Sequence, residues 1–323
     1  MSIPLSEDNI YTLVQVFNSL NILGLILLTF TIIPAIWSRT VHRMDAWYSL
    51  TISSMLYCIS FLILIGHQFG KEPPFEICLF QAALIYAGPV FIKISITSFV
   101  ISLYLNISNI PTTSFHQKML IAAPITMFLL ICIEVTMVGL LDRSHIERDP
   151  THMFCHCHDT NIPFGVDVFI EVLTAGIDIN FLIMIGQTLY KRWKTNQATV
   201  SPVGRISNPA FSMALYLRVL LFTLYLALAL LIVAIGVLKP TGPSVAWNIS
   251  LPTVPVASGL IFGSQKDILQ AWAGYARGLK YSIWNLIQKV LNAFRYPSRV
   301  DSIDGLKAAS SQLELDQACR THL

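Results

Sequence analysis

Residues 154–158 read Phe-Cys-His-Cys-His and so place two thiols and two imidazoles within five positions. Cysteine and histidine are both zinc ligands, whereas cysteines in an oxidising compartment can instead pair as disulfides. Alternating Cys and His residues are not the usual spacing of a zinc site, in which roughly two to four residues separate the ligands. Which chemistry applies depends on where in the cell this stretch lies.

Charged side chains inside apolar stretches form a second group of candidates, because ionisable groups in a bilayer are expensive and mark functional sites. Asp167, Glu171, Thr174 and Asp178 recur at spacings of four, three and four, which places them on one face of a helix. Glu134 is predicted at about the depth of Glu171. We expect Glu134, Asp167 and Glu171 to form the floor of an outward-open pocket for a cationic or polar ligand. The alternative for Asp167 is a place at the membrane interface.

Three charges are predicted at a common, greater depth. Lys93 and Asp178 each lie about fifteen residues from the outer end of their helix, which corresponds to roughly 22 Å at the helical rise. Arg218 enters its helix from the opposite side and reaches a similar level. The sequence therefore predicts a buried ionic cluster of Lys93, Asp178 and Arg218. The alternative for Arg218 is that its long side chain extends to the nearer membrane surface.

The composition indicates which solvent surrounds these residues. Of the 323 residues, 54% are hydrophobic and only 12% are charged, and that charged share is about half the usual share of a soluble domain. The mean hydropathy is +0.63. A soluble surface could not hide so much apolar surface, so the chain is predicted to be an integral membrane protein.

Seven apolar stretches are each long enough to cross a bilayer, at about 20 residues per crossing. They are residues 10–37, 46–66, 78–105, 119–141, 164–189, 211–238 and 245–262. Their periodicity is helical, whereas a membrane barrel would show short alternating segments. The seventh stretch is the weakest, because it is short and contains Pro252 and Pro255. The predicted fold is all-α, a polytopic bundle of seven transmembrane helices.

The orientation follows from the distribution of Lys and Arg, which are enriched on the cytosolic side. One side of the predicted topology carries 4 of these residues and the other carries 15, and Lys93 and Arg218 inside the spans complete the total of 21. The N-terminus is therefore predicted outside and the C-terminus in the cytosol. The expected location is the plasma membrane.

This topology puts the Cys–His stretch in an outer loop, 142–162, where disulfides form. Cys78 lies at the outer mouth of the third stretch, so Cys155 or Cys157 can pair with it. We favour Cys155, which leaves Cys157 as a thiol. Such a cross-link is worth on the order of 4 kcal/mol in the chain-entropy model. A metal site at this loop is the rival interpretation.

The chain is predicted to have three parts: the helix bundle (1–264), an amphipathic helix (265–295) and a tail (296–323). Residues 265–295 predict an amphipathic helix on the inner leaflet, because one face is apolar and Arg277, Lys280 and Lys289 can contact anionic lipid. The apolar face comprises Ile268, Trp272, Tyr275, Leu279, Ile283, Leu286, Val290 and Phe294. Residues 296–323 are polar and predicted to be a disordered cytosolic tail.

Taken together, these features resemble a G-protein-coupled receptor, and more specifically the receptor-like seven-helix proteins of basidiomycete fungi. The segments that carry the resemblance are CLFQAALIYAGPV (78–90), MFCH (153–156), IGQTLYKRW (185–193) and LIFGSQKDILQAW (260–272). The third helix ends in SLYLNISN, without the acidic-Arg-aromatic triplet of rhodopsin-like receptors. The seventh has LPTVPVASGLIFG in place of their Asn-Pro-x-x-Tyr.

The resemblance implies a cell-surface receptor that transmits the binding of an unknown extracellular ligand to a heterotrimeric G protein. The expected partners are that G protein, the ligand and the lipid bilayer, and not nucleic acid. We expect no enzymatic activity and no cofactor. The alternatives are a fungal pheromone-type receptor and a small-solute or ion-coupled transporter. A retinal protein is disfavoured because 245–262 contains no lysine for a Schiff base.

Overall fold

The computed structural model of the chain describes residues 7–38, 41, 43–158, 162–198, 213–238 and 245–295. Described helices, in chain order, are α1 (Glu7–Trp37), α2 (Asp45–Leu62), α3 (Phe75–Ile107), α4 (Ser114–Leu141), α5 (Ile162–Ala198), α6 (Met213–Leu238), α7 (Val245–Ser250), α8 (Thr253–Gly263) and α9 (Lys266–Arg295). A short 3₁₀ turn (Arg143–His145) and two short strands, β1 (Ile146–Arg148) and β2 (Cys155–Cys157), lie between α4 and α5. The fold is therefore almost entirely helical.

Large apolar side chains cover the outward face of α4. Leu129, Ile133, Met137 and Leu140 recur every three to four residues, and each is more than half exposed. The opposite face is buried against the rest of the bundle, with Val135 at its centre. A soluble protein rarely exposes so continuous an apolar surface, whereas lipid solvates it at no cost. The protein is an all-α membrane protein.

Four of the described helices are long and apolar enough to cross a membrane by themselves. They are Asn9–Trp37, Phe75–Ile107, Ser114–Leu141 and Gly165–Lys191. Two further apolar helical stretches, Leu215–Ala229 and Asn248–Gly263, are shorter. α2 has 18 residues, or about 27 Å at the helical rise, slightly less than a hydrocarbon core of about 30 Å. Judged by length and composition, the described helices therefore include four candidate spans, fewer than the seven predicted from the sequence.

α3 is the centre of the bundle and packs against α2, α4 and α5. It approaches α2 closely at Gly88, where an added Cβ would lie 2.4 Å from Cδ2 of the Tyr57 ring. Lipid supplies no hydrophobic drive for helix association, so close packing at small residues takes over that role. Gly88 therefore leaves space for the Tyr57 ring beside the α3 backbone.

α1 packs against α8 through glycines on α8. A Cβ at Gly259 would lie 2.7 Å from Leu27 Cβ and 3.3 Å from the Leu27 carbonyl carbon. One turn further on, a Cβ at Gly263 would lie 2.6 Å from Thr31 Oγ1. The first and last helices of the bundle are therefore neighbours with nearly touching backbones.

The predicted seventh span is divided into α7 and α8 by a turn at Leu251 and Pro252. Pro252 has no N–H to donate, so the helical ladder ends there. The Thr253 hydroxyl donates to the Ser250 carbonyl at 2.5 Å and also contacts the Tyr225 hydroxyl of α6 at 2.5 Å. The first of these bonds satisfies the Ser250 carbonyl at the break, and the second ties the break to α6.

The α4–α5 loop forms a small antiparallel hairpin, in which Ile146 pairs with Cys157, Glu147 with His156 and Arg148 with Cys155. The turn is fixed by Asp149, whose carboxylate accepts the Thr151 N–H at 2.8 Å. Asp side chains commonly stabilise turns in this way. We refer to β1, β2 and the turn between them as the hairpin.

α9 belongs to a second compact unit, 270–323, for all but its first turn. Its range agrees with the predicted amphipathic segment 265–295, and both apolar and basic residues are exposed along it, as at Ile283 and Lys280. Its position on a membrane surface stays a prediction. The predicted tail 296–323 lies outside the described residues, as do residues 199–212 between α5 and α6.

Candidate functional site

A disulfide joins Cys78 in the first turn of α3 to Cys155 in β2. This is the pair that the sequence analysis favours. The cross-link ties the hairpin to the bundle, and the Gln81 carboxamide adds a second tie by accepting the Cys155 N–H at 3.0 Å. Cys157 remains a thiol, and burial raises its pKa to about 11, with a smaller contribution from Glu134.

Because side chains alternate along a β-strand, the cysteines and the histidines of residues 154–158 lie on opposite faces. Successive side chains of a strand point to opposite faces, so Cys155 and Cys157 are buried against the bundle. His156 and the adjoining His158 share the other face, where both lie near the Glu147 carboxylate. The disulfide and the pair of histidines near Glu147 can therefore exist together, although from the sequence alone a disulfide and a metal site are alternative roles for this stretch.

Beneath the hairpin lies a cavity of about 190 Å³. Phe154 and His156 of the hairpin form its roof, and side chains from α2, α3, α5, α6 and the α7–α8 break form its walls. The polar groups that face it include Tyr57, Tyr86 and Lys93, and the remaining lining is mostly aliphatic. A mostly apolar cleft with a few convergent polar groups is the usual form of a small-molecule site.

Two of the three predicted pocket acids, Asp167 and Glu171, line this cavity. The third, Glu134, lies outside the lining but close enough to Asp167 and Cys157 for its charge to act on both. Asp167 Oδ1 is buried and accepts no hydrogen bond from the described residues. A buried carboxylate oxygen without a donor is unfavourable, so this atom can accept a hydrogen bond from a guest in the cavity.

The predicted cluster of Lys93, Asp178 and Arg218 is brought together only in part. Lys93 and Asp178 are both buried, and the Lys93 charge acts on Asp178 and on Glu171, although no direct ion pair joins these groups in the described structure. Arg218 instead donates to the Ser264 carbonyl at the end of α8, 3.0 Å away. Its long side chain reaches an exposed helix end, where carbonyls are free to accept hydrogen bonds.

One further link at the site had no signal in the sequence. Asn248 of α7 is buried and donates to Asp149 Oδ1 at 3.2 Å and to Thr151 Oγ1 at 2.9 Å. These bonds join the hairpin turn to the helix pair that lines one wall of the cavity. Residues almost 100 positions apart cannot be matched by periodicity, so only co-variation among relatives could have indicated this contact.

A scan against models of known protein families gives no match, and neither does a comparison with curated proteins.

Proposed function

We propose that the protein is a seven-helix cell-surface receptor that transmits the binding of an extracellular ligand to a cytosolic heterotrimeric G protein. The observation that carries the proposal is the cavity roofed by the disulfide-linked hairpin. Its walls come from helices of both halves of the chain, α2 and α3 on one side and α5 to α8 on the other. A ligand in this cavity would contact all of these helices at once and could shift their packing.

The seven spans of this proposal are α1 to α6 together with the α7–α8 pair. In that arrangement the hairpin faces the cell exterior, in agreement with the excess of Lys and Arg in the loops at the other end. An oxidising exterior is also where the Cys78–Cys155 disulfide would persist.

The ligand that suits the cavity is small and carries a positive charge. Asp167 and Glu171 supply two carboxylates against the single ammonium of Lys93, so a cation restores the balance of charge. The volume of about 190 Å³ is below the roughly 300–1,000 Å³ of most ligand pockets. A primary or secondary amine with a short apolar body meets both requirements.

The transmission would run through α6 and the α7–α8 pair. Ser250 and Leu251 at the break line the cavity, and two arginines bind the chain where α8 ends and α9 begins. Arg43 forms an ion pair with Asp267 at 2.6 Å, and Arg218 donates to the Ser264 carbonyl. A ligand that binds one arrangement of these contacts more tightly shifts the population toward it.

The test is a nucleotide-exchange assay on heterotrimeric G protein in membranes that contain the full-length protein. A panel of amines, peptides, lipids and sterols should contain at least one agonist, with amines the expected class. Asp167→Asn and Glu171→Gln should each lower its potency by about 10-fold or more, since a charge-assisted hydrogen bond is worth about 1.5–3 kcal/mol. Asp142→Asn is the control, because this exposed loop carboxylate lies outside the cavity lining.

A transporter is the second candidate, favoured by the helix break beside a charged cavity. Broken helices at a charged site near mid-membrane are a feature of many ion-coupled transporters. Uptake of an amine into vesicles without any nucleotide exchange would establish the transporter and overturn the receptor.

A further inference from the structure

The hairpin brings together three side chains that could hold a metal ion. Glu147, His156 and His158 each offer one ligand atom, and these atoms all lie within 4.8 Å of one another. Glu147 Oε1 is 3.3 Å from His158 Nδ1 and 3.9 Å from His156 Nε2. The two histidines lie 9 and 11 positions after Glu147, across the turn, so the group exists only because the hairpin forms.

The pairing register explains why these side chains share a face. Glu147 lies directly opposite His156 in the ladder, and residues opposite each other have Cβ atoms about 5 Å apart. His158 is two positions beyond His156, so it returns to the same face as the diagonal neighbour of Glu147. His158 is held there by a backbone hydrogen bond from its N–H to the His145 carbonyl at 2.7 Å.

The two distances to Glu147 fit a tetrahedral ion with small rearrangements, and the two imidazole nitrogens lie within 4.8 Å of each other. Zn–N and Zn–O bonds of about 2.0–2.2 Å place neighbouring ligand atoms roughly 3.3–3.5 Å apart. The Glu147–His158 distance already falls in this range, and Glu147 and His156 would approach each other by less than an ångström. Two imidazoles and one carboxylate are a common set of three protein ligands for zinc, with a fourth position left for water.

Asp149 is placed to orient one of the candidate ligands, His156, from outside the ligand set. Metal-bound histidines usually donate their other ring N–H to a carboxylate, which fixes the ring. His156 Nδ1 is buried and makes no hydrogen bond to the described residues, while Asp149 Oδ2 lies 4.0 Å from it. Asp149 is buried, and its other oxygen is held by Thr151 and by Asn248 of α7.

We propose that Glu147, His156 and His158 form a binding site for a divalent transition-metal ion, with zinc as the best match. Asp149 acts as a positioning residue for the His156 ring. The site uses the opposite face of β2 from the Cys78–Cys155 disulfide, so metal and disulfide are compatible. The proposal holds whether the protein is a receptor or a transporter. Because His156 also lines the cavity, the ion would rigidify the cavity roof.

The test uses full-length protein in lipid nanodiscs, stripped of metal with a chelator and titrated with ZnCl₂ by calorimetry. We expect one ion per chain. Glu147→Gln and His158→Asn should each weaken binding by more than 10-fold, and Asp149→Asn by about 10- to 100-fold. Asp149→Asn is a sharp probe because an amide oxygen can still accept from Thr151, while the amide nitrogen would face His156 Nδ1.

His67→Asn is the matched control, since His67 is an exposed histidine at the same end of the bundle and outside the triad. Its zinc affinity should equal that of the unmodified chain. Cobalt(II) gives an independent readout: histidine and carboxylate ligands produce visible d–d bands without the ultraviolet sulfur-to-metal band of a thiolate. A thiolate band would assign the ion to a cysteine and overturn the site. Zinc affinity unchanged in Glu147→Gln and His158→Asn, or no saturable binding at all, would overturn it equally.

Discussion

Gln81 is one of the residues through which the hairpin is hydrogen-bonded to the bundle, and Gln81→Met tests that role. Gln81 is fully buried. Its Nε2 donates to the Ser60 and Phe61 carbonyls at 3.1 and 3.4 Å, and its Oε1 accepts the Cys155 N–H. Ser60 and Phe61 belong to the last turn of α2, whose carbonyls have no helical partner. The carboxamide thus caps α2 and anchors β2 at the same time.

The size of the effect follows from the groups that lose a partner. Methionine has nearly the same volume, so little packing is lost. The Cys155 N–H becomes a buried donor without an acceptor, which costs about 1–3 kcal/mol, and the two carbonyls at the end of α2 add to this. We expect a loss of about 2–4 kcal/mol in the free energy of unfolding, or a fall of several degrees in Tm.

The measurement combines thermal unfolding in nanodiscs with amide hydrogen exchange at β2. The Cys155 amide should exchange much faster in Gln81→Met, while amides in the middle of α4 should not change. Gln117→Met is the matched control, because Gln117 is exposed and its side chain donates to the exposed Thr112 hydroxyl at 3.3 Å. If both variants lower Tm equally, or if Cys155 stays protected, the anchoring role of Gln81 is wrong.

Three further predictions concern packing, buried charge and the free thiol. Gly259→Ala should destabilise the bundle by about 1–3 kcal/mol, because a Cβ there meets the backbone of α1. Gly176→Ala is the control: a Cβ there meets nothing within 4 Å, so this change should be neutral or slightly stabilising in the same thermal melt. A double-mutant cycle with Lys93→Met and Asp178→Leu should give a coupling of at least about 0.5 kcal/mol, and a coupling near zero would show that these charges do not interact. Cys157 should resist a polar alkylating reagent until the protein is unfolded, since only 6% of its surface is exposed, and peptide mass spectrometry would reveal early labelling.

The parts of the fold that could be predicted from sequence are those set by local patterns. Apolar runs and helical periodicity predicted the helices and the membrane, because lipid leaves the backbone few options. The spacing of Asp167 and Glu171 predicted a common face, and both line the cavity. The weak seventh stretch also had a local cause, since Pro252 marks the break between α7 and α8.

The parts that could not be predicted depend on contacts between distant residues. Depth along a helix places Arg218 near Asp178, but it does not specify rotation or partner, and Arg218 bonds to Ser264 instead. The alternating Cys and His residues do not have the usual sequence spacing of zinc ligands. Sequence spacing, however, takes no account of the alternation of side chains along a strand. Once β2 is a strand, His156 and His158 share a face, and Glu147 joins them only through the register of the hairpin.

The packing of α1 against α8 has a consequence for the synthesis of the protein. The Thr31 hydroxyl contacts the Gly259 carbonyl at 3.5 Å across 228 positions of the chain, and Leu27 packs against the same glycine. At a translation rate of about 5–20 residues per second, the nascent α1 would wait roughly 10–50 seconds in the bilayer before its partner is made. During that interval the α1 surface that later contacts Gly259 would be open to lipid tails or to a membrane chaperone. α1 can pack against α2 earlier, but its contact with α8 must form after α8 has been synthesised.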